Sequence, residues 1–226
     1  MNTMYETLMN IPLFKGVSHD QISSFVEKTP LHFHTFNDGE LVMGRNDLCS
    51  NVVCLLTGSL RIERLAAGGQ LRITEVIEGG SVLGLSSLFG LDHRYNFDAY
   101  AVSERVGVME FTKKQYRRLL ENNPICQINC LNYLARRGQK CNEVLRLFVG
   151  ESFARQLASL VLLATDSGGE DIRLISTEGR MAEIFSSKNG DIHREMQRLA
   201  DRGLISIFGE TEIRVTSRLA LLDAAE

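Results

Sequence analysis

Between Leu31 and Phe111 the chain advances in short apolar runs, most of them stopped by a glycine and none carrying a helical period. The runs are LHFHTF, VVCLL, SLRIERL, LRITEVI and RVGVMEF, and the breaks fall at Asp38-Gly39, Thr57-Gly58, Gly68-Gly69 and Gly79-Gly80. Branched and aromatic side chains between closely spaced turn residues describe antiparallel strands. So much strand without an intervening helix predicts an antiparallel β-sandwich, jelly-roll or barrel for this part of the chain.

Outside that stretch the period changes. Residues 18–28 carry an amphipathic helix, with Ser18 as N-cap and Ile22, Phe25 and Val26 on one face. After Phe111 the strand signals stop: Thr112 caps a helix through Leu120, and Pro124 opens a much longer one reaching about Phe148. Within it Ile128, Leu131, Ala135, Gly138, Asn142 and Leu145 recur at alternating steps of three and four. That spacing predicts a dimer seam, although Gly138 and Asn142 weaken it and a helix packed on its own domain shows the same period. Gly150 marks the next boundary. The expected architecture is α+β: a β-rich domain over 1–123, a dimerisation helix over 124–149 and a winged helix-turn-helix over 150–226.

The last of these rests on residues 176–206. Ser176 or Thr177 caps a helix whose Met181, Ile184 and Phe185 face inward, and Ala182 is small enough for a second helix to cross closely. After a break at residues 186–190 the second helix buries Ile192, Met196 and Leu199. Its other face carries the candidate DNA contacts Ser187, Lys188, Asn189, Gly190, Asp191, His193, Arg194, Gln197 and Arg198. Arg reads guanine and Asn or Gln reads adenine through paired hydrogen bonds, while Ser and Lys suit phosphate. A hairpin over 204–215, turning at Gly209-Glu210, would be the wing, with Arg214 and Arg218 beside it for backbone phosphates. Net charge is −3, and Glu183, Asp191, Glu195 and Asp201 interleave the bases, so any DNA surface is local; a helical hairpin with a solvated face has the same composition.

The segment MAEIFSSKNGDIHREMQRLADRGLIS resembles the helix-turn-helix of the CRP/FNR transcription regulators, matching it at Ala182, Arg194, Leu199, Gly203, Leu204 and Ile205. Ser186 stands at the family's turn glycine, and Asn189 and Gly190 stand at its main base-reading Arg and Glu, which implies a different operator. Nearer the N-terminus, NIPLFKGVSHDQISSFV is similar to the family's opening helix. FNDGELVMGRNDLCSNVVCLLTGSLRI is similar to its cyclic-nucleotide-binding framework at Gly39, Glu40, Asp47 and Gly58, with Asn46 at a glycine position. The resemblance implies a homodimeric, non-enzymatic regulator that binds a pseudo-palindromic site on double-stranded DNA. It further implies RNA polymerase as a partner and a small-molecule or gas effector at the N-terminal domain.

Cyclic-nucleotide binders of this family carry Gly-Glu for the ribose and Arg-Ser/Thr-Ala for the phosphate. Here Gly84 is followed by Leu85, Ser86 and Ser87, Phe97-Asp98 replaces the Arg-Ser pair, and Arg94 falls four residues early. Leu85 cannot hold a hydroxyl and Asp98 repels phosphate, so this degenerate pocket is not expected to take a cyclic nucleotide. Cys49, Cys54, Cys126, Cys130 and Cys141 are odd in number and lack iron–sulfur spacing. They read as reduced, mostly structural thiols, although Cys126 and Cys130 share a helical face. His32, His34 or Met43 could ligate a haem, leaving open a gas or nitrosative-stress sensor. The competing reading from another class is a ligand-binding module that docks a protein. No nucleophile–base pair or metal cluster stands at diagnostic spacing, and no signal-peptide pattern or membrane-length apolar run is present, so the expected location is the cytoplasm.

Overall fold

The computed structural model describes residues 4–148, 152–165, 169–176, 178–185, 189–209 and 212–224. In chain order the elements are α1 (Met4–Asn10), α2 (His19–Lys28), β1 (His32–Asn37), β2 (Leu41–Met43), β3 (Asn51–Thr57), β4 (Ser59–Ala66), β5 (Leu71–Glu78), β6 (Ser81–Leu83), α3 (Leu85–Leu88), β7 (Asp98–Ala101) and β8 (Arg105–Thr112). They continue as α4 (Lys113–Asn122), α5 (Pro124–Phe148), α6 (Phe153–Ala164), β9 (Glu170–Ile175), α7 (Glu178–Ile184), α8 (Asn189–Asp201), β10 (Ile205–Phe208), β11 (Glu212–Val215) and α9 (Arg218–Asp223). The chain forms two compact units, one of residues 1–61 and 77–137, the other of residues 62–76 and 138–226.

In the first unit β1, β8, β3 and β6 lie side by side as an antiparallel sheet, and β2 pairs with β7. Ser18 and Thr112 each close a capping box, with Gln21 and Gln115 returning the hydrogen bond, which sets where α2 and α4 begin. A run of rings, Phe14, Phe25, Phe111 and Tyr116, ties these helices to the sheet, with neighbouring centroids 5.4 to 6.0 Å apart. Gly58 turns β3 into β4 at φ +79°, and a Cβ there would lie 2.6 Å from the Arg105 carbonyl oxygen. Asn46 adopts φ +70°, the left-handed conformation expected of a residue standing in for glycine.

The second unit has a core of α6, α7 and α8 against the sheet of β10, β11, β9 and β5. Its fourth strand comes from the middle of the sequence: β5 pairs antiparallel with β9, Ile73 opposite Leu174 and Thr74 opposite Arg173. Leu71 and Ile73 are fully buried there with Leu157, Val161, Leu174 and Ile213. Glu75 of the same strand is fully buried too and meets the Arg64 guanidinium of β4 at 2.5 Å.

Some elements depart from the sequence-based expectation. β9 (Glu170–Ile175) forms where no strand was expected. β2, β6 and β7, each of three or four residues, and α1 have no counterpart in the sequence reading. Among the described residues no helix is long and apolar enough to cross a membrane.

Candidate nucleic-acid interface and effector pocket

α8 is amphipathic in the manner its sequence requires. Ile192, Met196 and Leu199 are buried in the core beside Met181, Ala182 and Phe185 of the preceding helical segment. Asp191, His193, Arg194, Gln197 and Arg198 are exposed. The helix ends in a Schellman motif: Gly203 at φ +70° donates to the Ala200 carbonyl, and the Leu204 N–H donates to the Leu199 carbonyl. That stop turns the chain directly into β10, which pairs with β11 from Ile205 opposite Val215 to Phe208 opposite Glu212. The Gly-Leu-Ile match in the sequence is therefore the joint between helix and wing.

Along the exposed face Arg194, Arg198 and Gln197 each have an acidic neighbour. Arg194 lies 3.8 Å from Asp191, Arg198 lies 3.2 Å from Glu195, and Gln197 donates to Asp201 at 2.8 Å. Exposed pairs of this kind contribute about 0.3–0.5 kcal/mol each, so the side chains exchange partners readily. Asn189 and Gly190 form the first turn of α8, whereas Ser187 and Lys188 lie outside the described residues. Arg214 of the wing is held by Asp171 at 2.8 Å, and Asp171 also binds Arg173 at 2.7 Å. Arg214 is thus tied into a charge network within the sheet, a partner that its sequence position did not disclose.

The second candidate site surrounds Gly84, the left-handed residue that opens α3. Leu85 is buried, Ser86 is exposed and Ser87 half-buried. The Tyr95 ring packs directly on Gly84, so closely that a Cβ there would overlap it, and Phe97 lies beside it with ring centroids 5.7 Å apart. Backbone bonds hold this segment across residues 46–49: the Asn46 N–H donates to the Tyr95 carbonyl, and the Tyr95 N–H donates to the Asp47 carbonyl. Asp98 accepts the Arg45 backbone N–H at 2.7 Å, and its other oxygen faces the Arg45 guanidinium at 4.0 Å. Arg94 is exposed and donates to the Asn46 carbonyl. Gly84, Tyr95 and Phe97 thus pack in succession, whereas Arg94 and Asp98 engage Asn46 and Arg45, and the place Tyr95 fills has no signal in the sequence.

The haem candidates lie on two strands. His32 and His34 lie exposed on β1, whereas Met43 is buried in β2. Cys49, Cys54, Cys126 and Cys130 are buried free thiols and Cys141 is exposed. Burial pushes the Cys54 thiol up to about 12 and the Cys126 thiol up to about 11. Among the described residues no three His, Cys, Asp or Glu side chains are grouped to hold a metal.

The dimer seam proposed on α5 is exposed in the single chain at Ile128, Leu131, Ala135, Gly138 and Asn142; the side chain of Leu145 lies outside what is described. Ile128 and Leu131 are 54% and 56% exposed, unusual for large apolar residues at successive turns of one helix.

Residues 33–123 match the cyclic nucleotide-binding domain family. Beyond that domain, the chain is 25% identical over 198 residues to the nitrogen fixation regulation protein FixK of Bradyrhizobium diazoefficiens, covering 84% of this chain and 81% of that one. It is 23% identical over 212 residues to the cyclic AMP receptor protein of Thermus thermophilus, covering 92% and 94% of the two chains. The crystal structure of the Thermus thermophilus catabolite activator protein superposes with a TM-score of 0.54 at 20% identity, over 95% of this chain and 98% of that one. The likeness is one of fold: an antiparallel β domain in the first unit and, in the second, helices α7 and α8 followed by the β10–β11 hairpin. Along most of its length the chain is similar to these regulators, and residues 33–123 carry the match to the cyclic nucleotide-binding domain family.

Proposed function

We propose that this chain is a sequence-specific DNA-binding transcription regulator acting as a homodimer. The observation that carries the reading is α8: one face locked in the core, the opposite face exposed with Arg194, Gln197 and Arg198, and a winged hairpin following at once. In the dimer, α5 pairs with its copy through Ile128 and Leu131, and two α8 helices enter major grooves about 34 Å apart on a pseudo-palindromic site. The signal acts at the first unit. With Leu85 and Phe97 buried and Asp98 engaged by Arg45, that signal is not a cyclic nucleotide. RNA polymerase is the expected downstream partner, and the effector is a small molecule or gas.

The test is to select operator sequences from random duplexes with the full chain and measure affinity by fluorescence anisotropy at several salt concentrations. Arg194→Ala should weaken the selected site by about 1–3 kcal/mol and leave random duplex nearly unchanged. Equal loss on both would remove Arg194 from base reading. Absence of any salt-dependent association would instead favour a module whose C-terminal hairpin docks a protein.

A further inference from the structure

A groove of about 820 Å³ runs between α2 and α4, sharing no lining residue with the Gly84 site. Lys28 comes from α2, and Lys114 and Arg118 from α4; all three are exposed and without a partner among the described residues. Their neighbours on α4 differ: Arg117 pairs with Glu121, and Lys113 sits over the Phe89 ring. Asp20 is the one carboxylate in the lining, so three cations against one anion leave a surplus of two positive charges. Like charges lining one groove from two separate elements favour an anion bound between them.

Two further observations give the groove the character of a site. Asn123, only 6% exposed, lines it. Its Oδ1 accepts the backbone N–H groups of Ile125 and Cys126, which leaves its amide N–H₂ without a partner among the described residues. Gln115 spans the groove's base, its Oε1 accepting from Thr112 and its Nε2 donating to the Pro30 carbonyl at 3.1 Å, so the spacing of the two walls is set in advance. The floor is apolar, with Phe25 and Leu119. The volume lies in the range of small-molecule pockets.

We propose that this groove binds a small organic phosphate, its dianionic head held by Lys28, Lys114 and Arg118 and its apolar body against Phe25 and Leu119. The proposal stands apart from the DNA-binding reading. The test uses the full chain and phenyl phosphate, with inorganic phosphate and phenol as comparison probes, followed by calorimetry and by hydrogen exchange of the segments 19–30 and 112–123. Phenyl phosphate should bind one per chain, tighter than either comparison probe, and protect both segments. Lys114→Ala/Arg118→Ala should weaken it by about tenfold or more, since each charged hydrogen bond contributes on that order. Lys114→Arg, which keeps the charge and the fold, should retain binding. Equal affinity for phenyl phosphate and inorganic phosphate, an unchanged affinity in the double variant, protection confined to residues 84–98, or no binding at millimolar concentration would each overturn the proposal.

Discussion

Removing the β4–β5 hairpin should unfold the second unit, even though the hairpin lies some sixty residues upstream of the rest of that unit. Leu71 and Ile73 are both fully buried in the core that α8 packs against. Burying a side chain of that size contributes about 1.5–3 kcal/mol, so the two together supply about 3–6 kcal/mol. The backbone pairing of β5 to β9 adds to that through register pairs from Arg72–Ile175 to Val76–Glu170. A domain of this size has about 5–15 kcal/mol in total, so losing the strand takes a large share of it. A fragment of residues 138–226 should therefore show weak near-ultraviolet circular dichroism and rapid amide exchange in β9 and β11. In the full chain, Leu71→Ala should cost about 3 kcal/mol and accelerate exchange in the same strands. A fragment that melts cooperatively with native-like exchange protection would show that the hairpin is an accessory and not part of this core.

Ile128→Asp with Leu131→Asp on α5 should shift the sedimentation profile from dimer to monomer while the circular dichroism spectrum is retained; a persistent dimer would move the seam elsewhere. At pH 8 under native conditions iodoacetamide should label Cys141 and spare Cys54 and Cys126, as intact mass and peptide mapping would report. Because folded Cys54 and Cys126 ionise above the ordinary thiol value of 9.0, their contribution to stability is complete below pH 9. It is lost as the pH rises toward 11 and 12, so denaturation midpoints should fall across that alkaline window. Gly84→Ala sets a Cβ into the Tyr95 ring at a left-handed backbone, which should cost about 1–3 kcal/mol and lower the melting temperature of the first unit.

What could be read from the sequence was whatever local chemistry determines. Ser18 and Thr112 announce α2 and α4 because a capping box satisfies orphan N–H groups within four residues. Ile192, Met196 and Leu199 announce α8 because their spacing is a property of one helix. β2, β6 and β7 went unread because three or four residues have no period to detect and are ordered by distant partners, as Leu83 is by Val53. Nothing in LRITEVI says which core Leu71 and Ile73 enter, since either sheet would bury the same alternation. Tyr95 gave no signal for the place it fills, because its packing on Gly84 depends on a loop held by residues 46–49. Lys28 and Lys114 look like solvated surface until the fold brings α2 and α4 together.

The acids that accompany the bases on α8 bear on how such a regulator would search a genome. When Arg194 or Arg198 turns toward DNA, Asp191 or Glu195 is left facing a phosphate-rich surface. Under the proposed function, base contacts on a matching operator would have to outweigh that repulsion, and on other sequences they would not. Discrimination would then come from intolerance of wrong sites more than from strong attraction to right ones. With millions of non-specific sites competing, a regulator of that kind would spend little time parked on chromosomal DNA and would stay free to find the few places it fits.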